Sequence, residues 1–79
     1  MNKKNNLTIL KIGEKALVKN ILLKDKMRRR IGDIGLIPNT IIECLIKAPL
    51  GDPSAYLIRG AVIALRMEDA QEILVEYIS

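Results

Sequence analysis

The sequence predicts a mainly β fold: a small, partly open barrel of about five short strands, with one short helix after the first strand and a helical turn before the last. Apolar and polar residues alternate in short runs that Gly and Pro interrupt, which is typical of strands joined by tight turns. The 79 residues allow one small core. Closing short strands into a barrel removes most of the edges that they would otherwise expose.

A change from polar to apolar residues separates an N-terminal tail from the first element of the domain. Residues 1–6 are polar and basic and are expected to form a disordered tail, which leaves residues 7–79 as a single domain. An apolar lead-in over residues 7–12 precedes a strand over residues 14–23. The more apolar side of that strand carries Leu17, Lys19, Ile21 and Leu23.

Helical spacing replaces alternation after this first strand. Met27, Ile31 and Ile34 lie at i, i+4 and i+7, which predicts a helix from Asp25 to Ile34 with one apolar stripe. Asp25 is the predicted N-cap, since Asp side chains accept hydrogen bonds from the first free N–H groups of a helix. Gly35 follows the stripe, where a left-handed C-terminal cap favours Gly.

Turn-forming residues separate the remaining elements. Pro38 followed by Asn39 fits a type II turn, because Asn tolerates a positive φ. A helical turn is predicted over residues 67–72, and further strands are predicted over residues 40–48, 54–59, 61–65 and 73–78. The residues assigned to turns are Gly35, Pro38, Asn39, Pro49, Pro53 and Gly60.

Composition excludes several kinds of functional site. The chain has no His, so it lacks the commonest general base and the commonest transition-metal ligand. Its one Cys, Cys44, cannot form an internal disulfide or a multi-thiolate zinc site and is interpreted as a small buried strand residue. We therefore predict that the protein is not an enzyme and has no cofactor and no metal site.

The cellular location follows from two further features. The longest purely apolar run, residues 61–65, is five residues long, whereas a membrane-spanning helix needs about 18. A lone Cys without a disulfide framework suits a reducing compartment. We expect a cytoplasmic protein that does not insert into the membrane.

Charge is distributed unevenly along the chain. The net charge of +4 combines +8 in residues 1–30 with −4 in residues 31–79. The strongest basic cluster consists of Lys24, Lys26, Arg28, Arg29 and Arg30. It is a candidate for docking onto an acidic partner surface or onto phosphates. The alternative interpretation is a solvated helix face that keeps the protein soluble.

Two other segments are candidates for contacts with partners. Leu50, Gly51 and Asp52 lie in a loop between two prolines, and loops on a rigid barrel often carry function. The Ile-rich strand over residues 73–78 is a candidate edge strand that would pair weakly with a second copy of the chain.

The order of these motifs resembles the FeoA family. The segment from Met27 to Thr40 resembles that family's helix ending in a DLGL-P-G-T turn, with Asn39 where the family usually has Gly. Residues 48–53 match its APLGDP loop, and residues 59–75 match its closing RG, ALR and EA segment. The resemblance covers nearly the whole chain.

This resemblance implies an SH3-like barrel and a cytoplasmic accessory protein of bacterial ferrous iron uptake. Such a protein would bind and modulate the FeoB membrane GTPase-transporter without catalysis. Transition-metal binding is implied by the family relation alone. Two alternatives stay open: a small-barrel nucleic-acid-binding module, and a metal-sensing module related to the C-terminal domain of iron-dependent repressors. Strong nucleic-acid binding is not expected, because two Tyr cannot build a base-stacking surface.

Overall fold

The computed structural model describes residues 5–48 and 52–78. A short 3₁₀ helix at Leu7–Ile9 precedes the first strand. The remaining elements are, in chain order, β1 (Lys15–Ile21), α1 (Asp25–Asp33), β2 (Ile41–Lys47), β3 (Ser54–Ile58), β4 (Ala61–Leu65), α2 (Met67–Ala70) and β5 (Ile73–Tyr77).

The mainly β fold predicted from the sequence is confirmed. Five strands form one antiparallel sheet in the order β4-β3-β2-β1-β5. The short helix α1 follows the first strand, and the single helical turn α2 precedes the last. β4 and β5 are the two edge strands of this sheet, so the sheet is open between them.

Alternation along β3 shows how the sheet makes the core. Ser54, Tyr56 and Ile58 are buried, whereas the residues between them are partly exposed. Burying one large aliphatic side chain stabilises a fold by about 1.5–3 kcal/mol, so such residues dominate the stability of a small domain. The largest fully buried side chains are Tyr56, Leu7, Leu10, Ile31, Leu36, Ile42, Ile58 and Ile73.

A bulge in β1 changes which side of the strand faces the core. The register with β5 shifts between Val18 and Asn20. Ala16 and Val18 are buried before the shift, and Ile21 is buried after it, although simple alternation places Ile21 on the opposite side. The more apolar side identified in the sequence therefore faces the core only beyond the bulge, because the extra residue moves later side chains to the other face.

A second bulge has the same effect in β2. Alternation places Ile42, Cys44 and Ile46 on one side of the strand. The register with β3 shifts between Cys44 and Ile46, so Ile42 and Cys44 are buried while Ile46 is 60% exposed. An apolar residue thus lies on the outer face of the sheet.

The start of α1 corrects one prediction. The N-cap is Lys24, whose backbone is extended and whose side chain makes no capping hydrogen bond. Asp25 is the first helical residue and has φ +47°. A capping side chain reaches the free N–H groups only from an extended backbone, so Asp25 does not cap this helix. On the buried side of α1, Ile31 enters the core and Met27 packs against it.

Positive φ angles occur in the turn that precedes β2 and in the turn that joins β3 to β4. Asn39 has φ +73°, and the N–H of Thr40 donates to the carbonyl of Ile37 at 3.2 Å. Arg59 and Gly60 have φ +48° and +83° and form the two-residue connection between β3 and β4. Two consecutive positive φ angles are typical of a type I′ hairpin turn.

Gly35 ends α1 at a point where another part of the chain lies very close. Its φ is +96°, and its N–H donates to the carbonyl of Gly32 at 3.0 Å. A Cβ at Gly35 would lie 2.8 Å from Cδ of Arg59. Any other residue at Gly35 would be strained by the positive φ and would displace the side chain of Arg59.

A polar contact links the start of β1 to the end of β5. The hydroxyl of Tyr77 donates to Oε2 of Glu14 at 3.1 Å, and the backbone N–H of Lys11 donates to Oε1 of the same carboxylate at 2.7 Å. The Lys11 bond and then the Tyr77 bond lower the pKa of Glu14. The same carboxylate raises the pKa of Tyr77.

Substitution of Gly35 tests the close approach at the end of α1. We expect Gly35→Ala to lower the free energy of unfolding by about 1–2 kcal/mol from backbone conformation alone, with a further loss from contact with Arg59. Adding Arg59→Ala should recover only that further loss. Gly32→Ala is the matched control, because a Cβ at Gly32 meets nothing within 4 Å. We expect this substitution to stabilise the helix by about 0.5–1 kcal/mol. Urea unfolding measures all four proteins, and equal effects at the two glycines would contradict the packing described.

Titration of the two tyrosines tests the contact between Glu14 and Tyr77. We expect Glu14→Gln to lower the pKa of Tyr77 towards its ordinary value, because a neutral amide removes the adjacent negative charge. The pKa of Tyr56 is raised chiefly by burial and should not move. Ultraviolet absorbance of the phenolate follows both groups, and Tyr77→Phe identifies the signal of Tyr56. An unchanged Tyr77 titration in Glu14→Gln would show that the two side chains do not interact.

The stability contributed by this contact depends on pH in two directions. Because the pKa of Tyr77 is raised in the folded protein, its contribution to the free energy of unfolding is fully present below the ordinary Tyr pKa. That contribution is lost as the pH rises through the pKa of the folded state. Because the pKa of Glu14 is lowered in the folded protein, its contribution to the free energy of unfolding is fully present above the ordinary Glu pKa. That contribution is lost as the pH falls through the pKa of the folded state.

Candidate functional site

The basic cluster predicted from the sequence lies on the solvent side of α1. Because Met27 and Ile31 face the core, the basic residues of the helix face water. All five predicted basic residues are exposed: Lys24, Lys26, Arg28, Arg29 and Arg30. Arg28 also donates from Nη1 to the backbone carbonyl of Ile21, which attaches the helix to the end of β1.

Arg59 adds a sixth basic side chain that the sequence analysis did not assign to this surface. It is exposed, and its Cδ lies against Gly35 at the C-terminus of α1. A cation at this end of a helix is favoured by the partial negative charge of the free carbonyls. We call the six residues Lys24, Lys26, Arg28, Arg29, Arg30 and Arg59 the basic face.

The electrostatics of the basic face favour long-range attraction rather than stability. Exposed charges contribute little to folding, since water and salt screen them. A cluster of one sign nevertheless raises the encounter rate with an oppositely charged surface. The acids of α1, Asp25 and Asp33, lie at its two ends. An acidic surface or phosphate groups are therefore the partners that the charge of the basic face would favour.

The second predicted site is the loop between the two prolines. Pro49, Leu50 and Gly51 lie outside the described residues. Asp52 is exposed, and its Oδ1 accepts a hydrogen bond from the backbone N–H of Met67 at 2.9 Å. This bond satisfies a free N–H at the start of α2, so Asp52 has a structural contact as well as its predicted role with a partner.

A shallow pocket that is open to solvent lies between the 3₁₀ helix, the ends of β2, β3 and β4, and α2. It is lined by Thr8, Lys47, Ser54, Tyr56, Leu65, Met67 and Ala70. The ammonium of Lys47 donates to the carbonyl of Thr8 at 3.1 Å, so this cation fastens the N-terminal segment to β2. No sequence pattern indicates the pocket, because its walls come from five different elements of the fold.

Cys44 occupies the buried side of β2, opposite Tyr56 of β3. Burial raises the pKa of the Cys44 thiol, which disfavours the thiolate that would bind a metal. Within residues 5–48 and 52–78, no three Cys, Asp or Glu side chains are grouped so that they could hold a metal ion. In the part of the chain that the structure describes, no helix is long and apolar enough to cross a membrane.

Comparison with known proteins identifies one family. The model of the FeoA domain matches residues 5–77. A curated relative from Porphyromonas gingivalis, an Fe(2+) transport protein A/Fe(2+) transporter FeoB fusion protein, is 36% identical over 73 residues. The match covers 92% of this chain and 9% of the relative, so the chain spans about a tenth of that protein's length.

Solved structures agree with this match. The FeoA protein of Chlorobium tepidum is 32% identical with a TM-score of 0.88, covering 94% of this chain and 70% of that one. A FeoA-like protein of Clostridium acetobutylicum is 39% identical with a TM-score of 0.83, covering 100% and 92%.

The SH3-like fold implied by the resemblance is also confirmed. The FeoA of Stenotrophomonas maltophilia, a prokaryotic SH3 domain protein solved with zinc, is 23% identical with a TM-score of 0.73. It covers 90% of this chain and 88% of that one. At this identity the likeness extends to the fold alone.

Substitution of Asp52 separates its structural contact from any role with a partner. We expect Asp52→Ala to lower the free energy of unfolding by about 1 kcal/mol, because the Met67 N–H loses its acceptor. Asp52→Asn keeps an acceptor oxygen and is the matched control, with a smaller loss expected. Urea unfolding and the exchange rate of the Met67 amide measure both variants. Equal stability of Asp52→Ala and the unmodified protein would contradict the capping role.

Proposed function

This chain belongs to the FeoA family of accessory domains in ferrous iron transport, and we propose from that premise that it binds and modulates the cytosolic part of a FeoB transporter. The observation that carries the proposal is the fusion protein of Porphyromonas gingivalis, in which a domain similar to this chain and FeoB share one polypeptide. A covalent link keeps two modules at high effective concentration. Such a link favours a working association between them.

The proposed docking surface is the basic face. Its charge supplies electrostatic steering towards an acidic patch on the transporter. All six residues of the basic face are exposed, so a partner could contact them without disturbing the core. Modulation requires that the chain bind one state of the transporter more tightly than another, because only differential affinity shifts a conformational equilibrium.

The proposed role includes no catalytic step, no cofactor and no membrane insertion, and it locates the protein in the cytoplasm. Iron is the cargo of the transporter rather than a ligand of this chain in the proposed mechanism. The lack of His and the buried Cys44 support that division of roles.

Charge reversal on α1 tests this proposal. We expect Arg29→Glu with Arg30→Glu to weaken binding to the cytosolic part of FeoB roughly tenfold at low salt, because two attractive contacts become repulsive. The difference should shrink as salt screens the charges. Lys11→Glu with Lys15→Glu is the matched control, since the same charge change occurs at the opposite end of β1 from α1.

Calorimetry on purified FeoB cytosolic part measures the affinities in each nucleotide state. Absence of binding in every state would overturn the association, and equal losses in both double variants would overturn the docking surface. A parallel titration with duplex DNA and RNA examines the nucleic-acid alternative. Nucleic-acid binding whose salt dependence falls on charge reversal of α1 would favour that alternative.

A further inference from the structure

The two edges of the sheet differ in how their backbone is covered. At β5, the N–H of Val75 donates to the carbonyl of Asn5 at 2.7 Å, and Asn6 forms a bridge with Leu74. The N-terminal segment therefore lies along the outer side of β5. At β4, all strand pairing among residues 5–48 and 52–78 is supplied by β3.

The hairpin fixes which backbone groups of β4 point outward. Arg59 and Gly60 form a two-residue type I′ turn, so the flanking pair, Ile58 and Ala61, exchanges hydrogen bonds. Hydrogen-bonded and non-hydrogen-bonded pairs alternate along an antiparallel ladder. The N–H and C=O groups of Val62 and Ala64 therefore point away from β3, at the free edge.

The side chains of β4 lack the features that usually protect an edge strand from pairing with another polypeptide. The strand contains only aliphatic residues, without the charge, Pro or bulge that usually protects an exposed edge. Val62 is 65% exposed, and its partner in β3 is Leu57. The neighbouring pair, Ala64 and Ala55, continues across the sheet to Ile46 of β2, which is exposed because of the bulge. An apolar strip thus runs beside the open edge.

We propose that β4 binds an extended segment of a partner polypeptide by strand addition, and that this segment has aliphatic residues at alternate positions and acidic residues at its ends. Strand addition satisfies the outward N–H and C=O groups of Val62 and Ala64. Alternate aliphatic side chains of the segment continue the apolar strip. This inference does not depend on the proposed association with the transporter.

Charge decides between a foreign segment and a second copy. Arg59 lies two residues before β4 and Arg66 follows it immediately, and both are exposed. Antiparallel pairing of two copies would bring Arg66 of one towards Arg59 of the other, in proteins that each carry a net charge of +4. Like charges oppose that pairing, whereas acidic ends on a foreign segment pair with both arginines.

A synthetic peptide tests the proposal on the full chain. The probe is acetyl-Glu-Glu-Val-Thr-Val-Thr-Val-Glu-Glu-amide, and the control peptide has Lys in place of each Glu. We expect the acidic peptide to shift the amide resonances of β4 in NMR spectra. At a peptide concentration ten times Kd, exchange of the Val62 and Ala64 amides should slow about tenfold. The Lys peptide should bind more weakly.

Variants of Val62 distinguish strand addition from contact with the side chains alone. Val62→Pro removes one outward N–H without removing a bond to β3, and Pro is tolerated on edge strands. Val62→Thr keeps the N–H and is the matched control. We expect Val62→Pro to abolish peptide binding while its amide spectrum elsewhere stays that of the folded protein, and Val62→Thr to bind like the unmodified chain. Ala64→Pro repeats the test at the second outward N–H.

Three results would overturn the proposal. The first is the absence of β4 shifts at the highest soluble concentration of the acidic peptide. The second is equal peptide binding by Val62→Pro and Val62→Thr. The third is a dimer of the free protein in light scattering that Val62→Pro dissociates, because a second copy would then be the occupant of the edge. Loss of transporter binding on charge reversal of α1 is a separate result and bears only on the proposed function.

Discussion

Backbone pairing of β1 on both of its sides holds the fold together. β1 pairs with β2 on one side and with β5 on the other, so it joins the middle of the chain to its end. The carbonyl of Ile21, at the end of β1, accepts a hydrogen bond from Arg28 and so fixes the start of α1. The position of the basic face therefore depends on β1, although none of the six residues of the basic face belongs to that strand.

The fold gathers most of the basic residues that follow β1 on one surface of the protein. The basic residues from Lys24 to Arg30 lie on the outer side of α1 or at its N-cap, because Met27 and Ile31 occupy the side that faces the core. Arg59 comes from the β3–β4 turn, a distant part of the chain, and its side chain lies against Gly35. The basic face is therefore wider than the basic helix that the sequence predicts.

The elements that follow from local pattern were predictable, and those that depend on pairing between strands were not. Alternation and turn residues located all five strands, since both signals are read within a few residues. The bulges in β1 and β2 have no local signal, because each reflects a mismatch with a partner strand. The carboxylate of Asp52 likewise contacts Met67, fifteen residues away, and no sequence spacing indicates that bond.

The sequence by itself determined the fold class, the basic character of α1 and the lack of any His-based chemistry, because these depend on composition and on short-range periodicity. Tertiary structure alone decided which edge of the sheet is covered. The N-terminal segment lies along β5 rather than β4, a choice that depends on contacts between the two ends of the chain. It also decided that Ile46 and Val62 share an exposed strip, since strand register sets which side chains are neighbours.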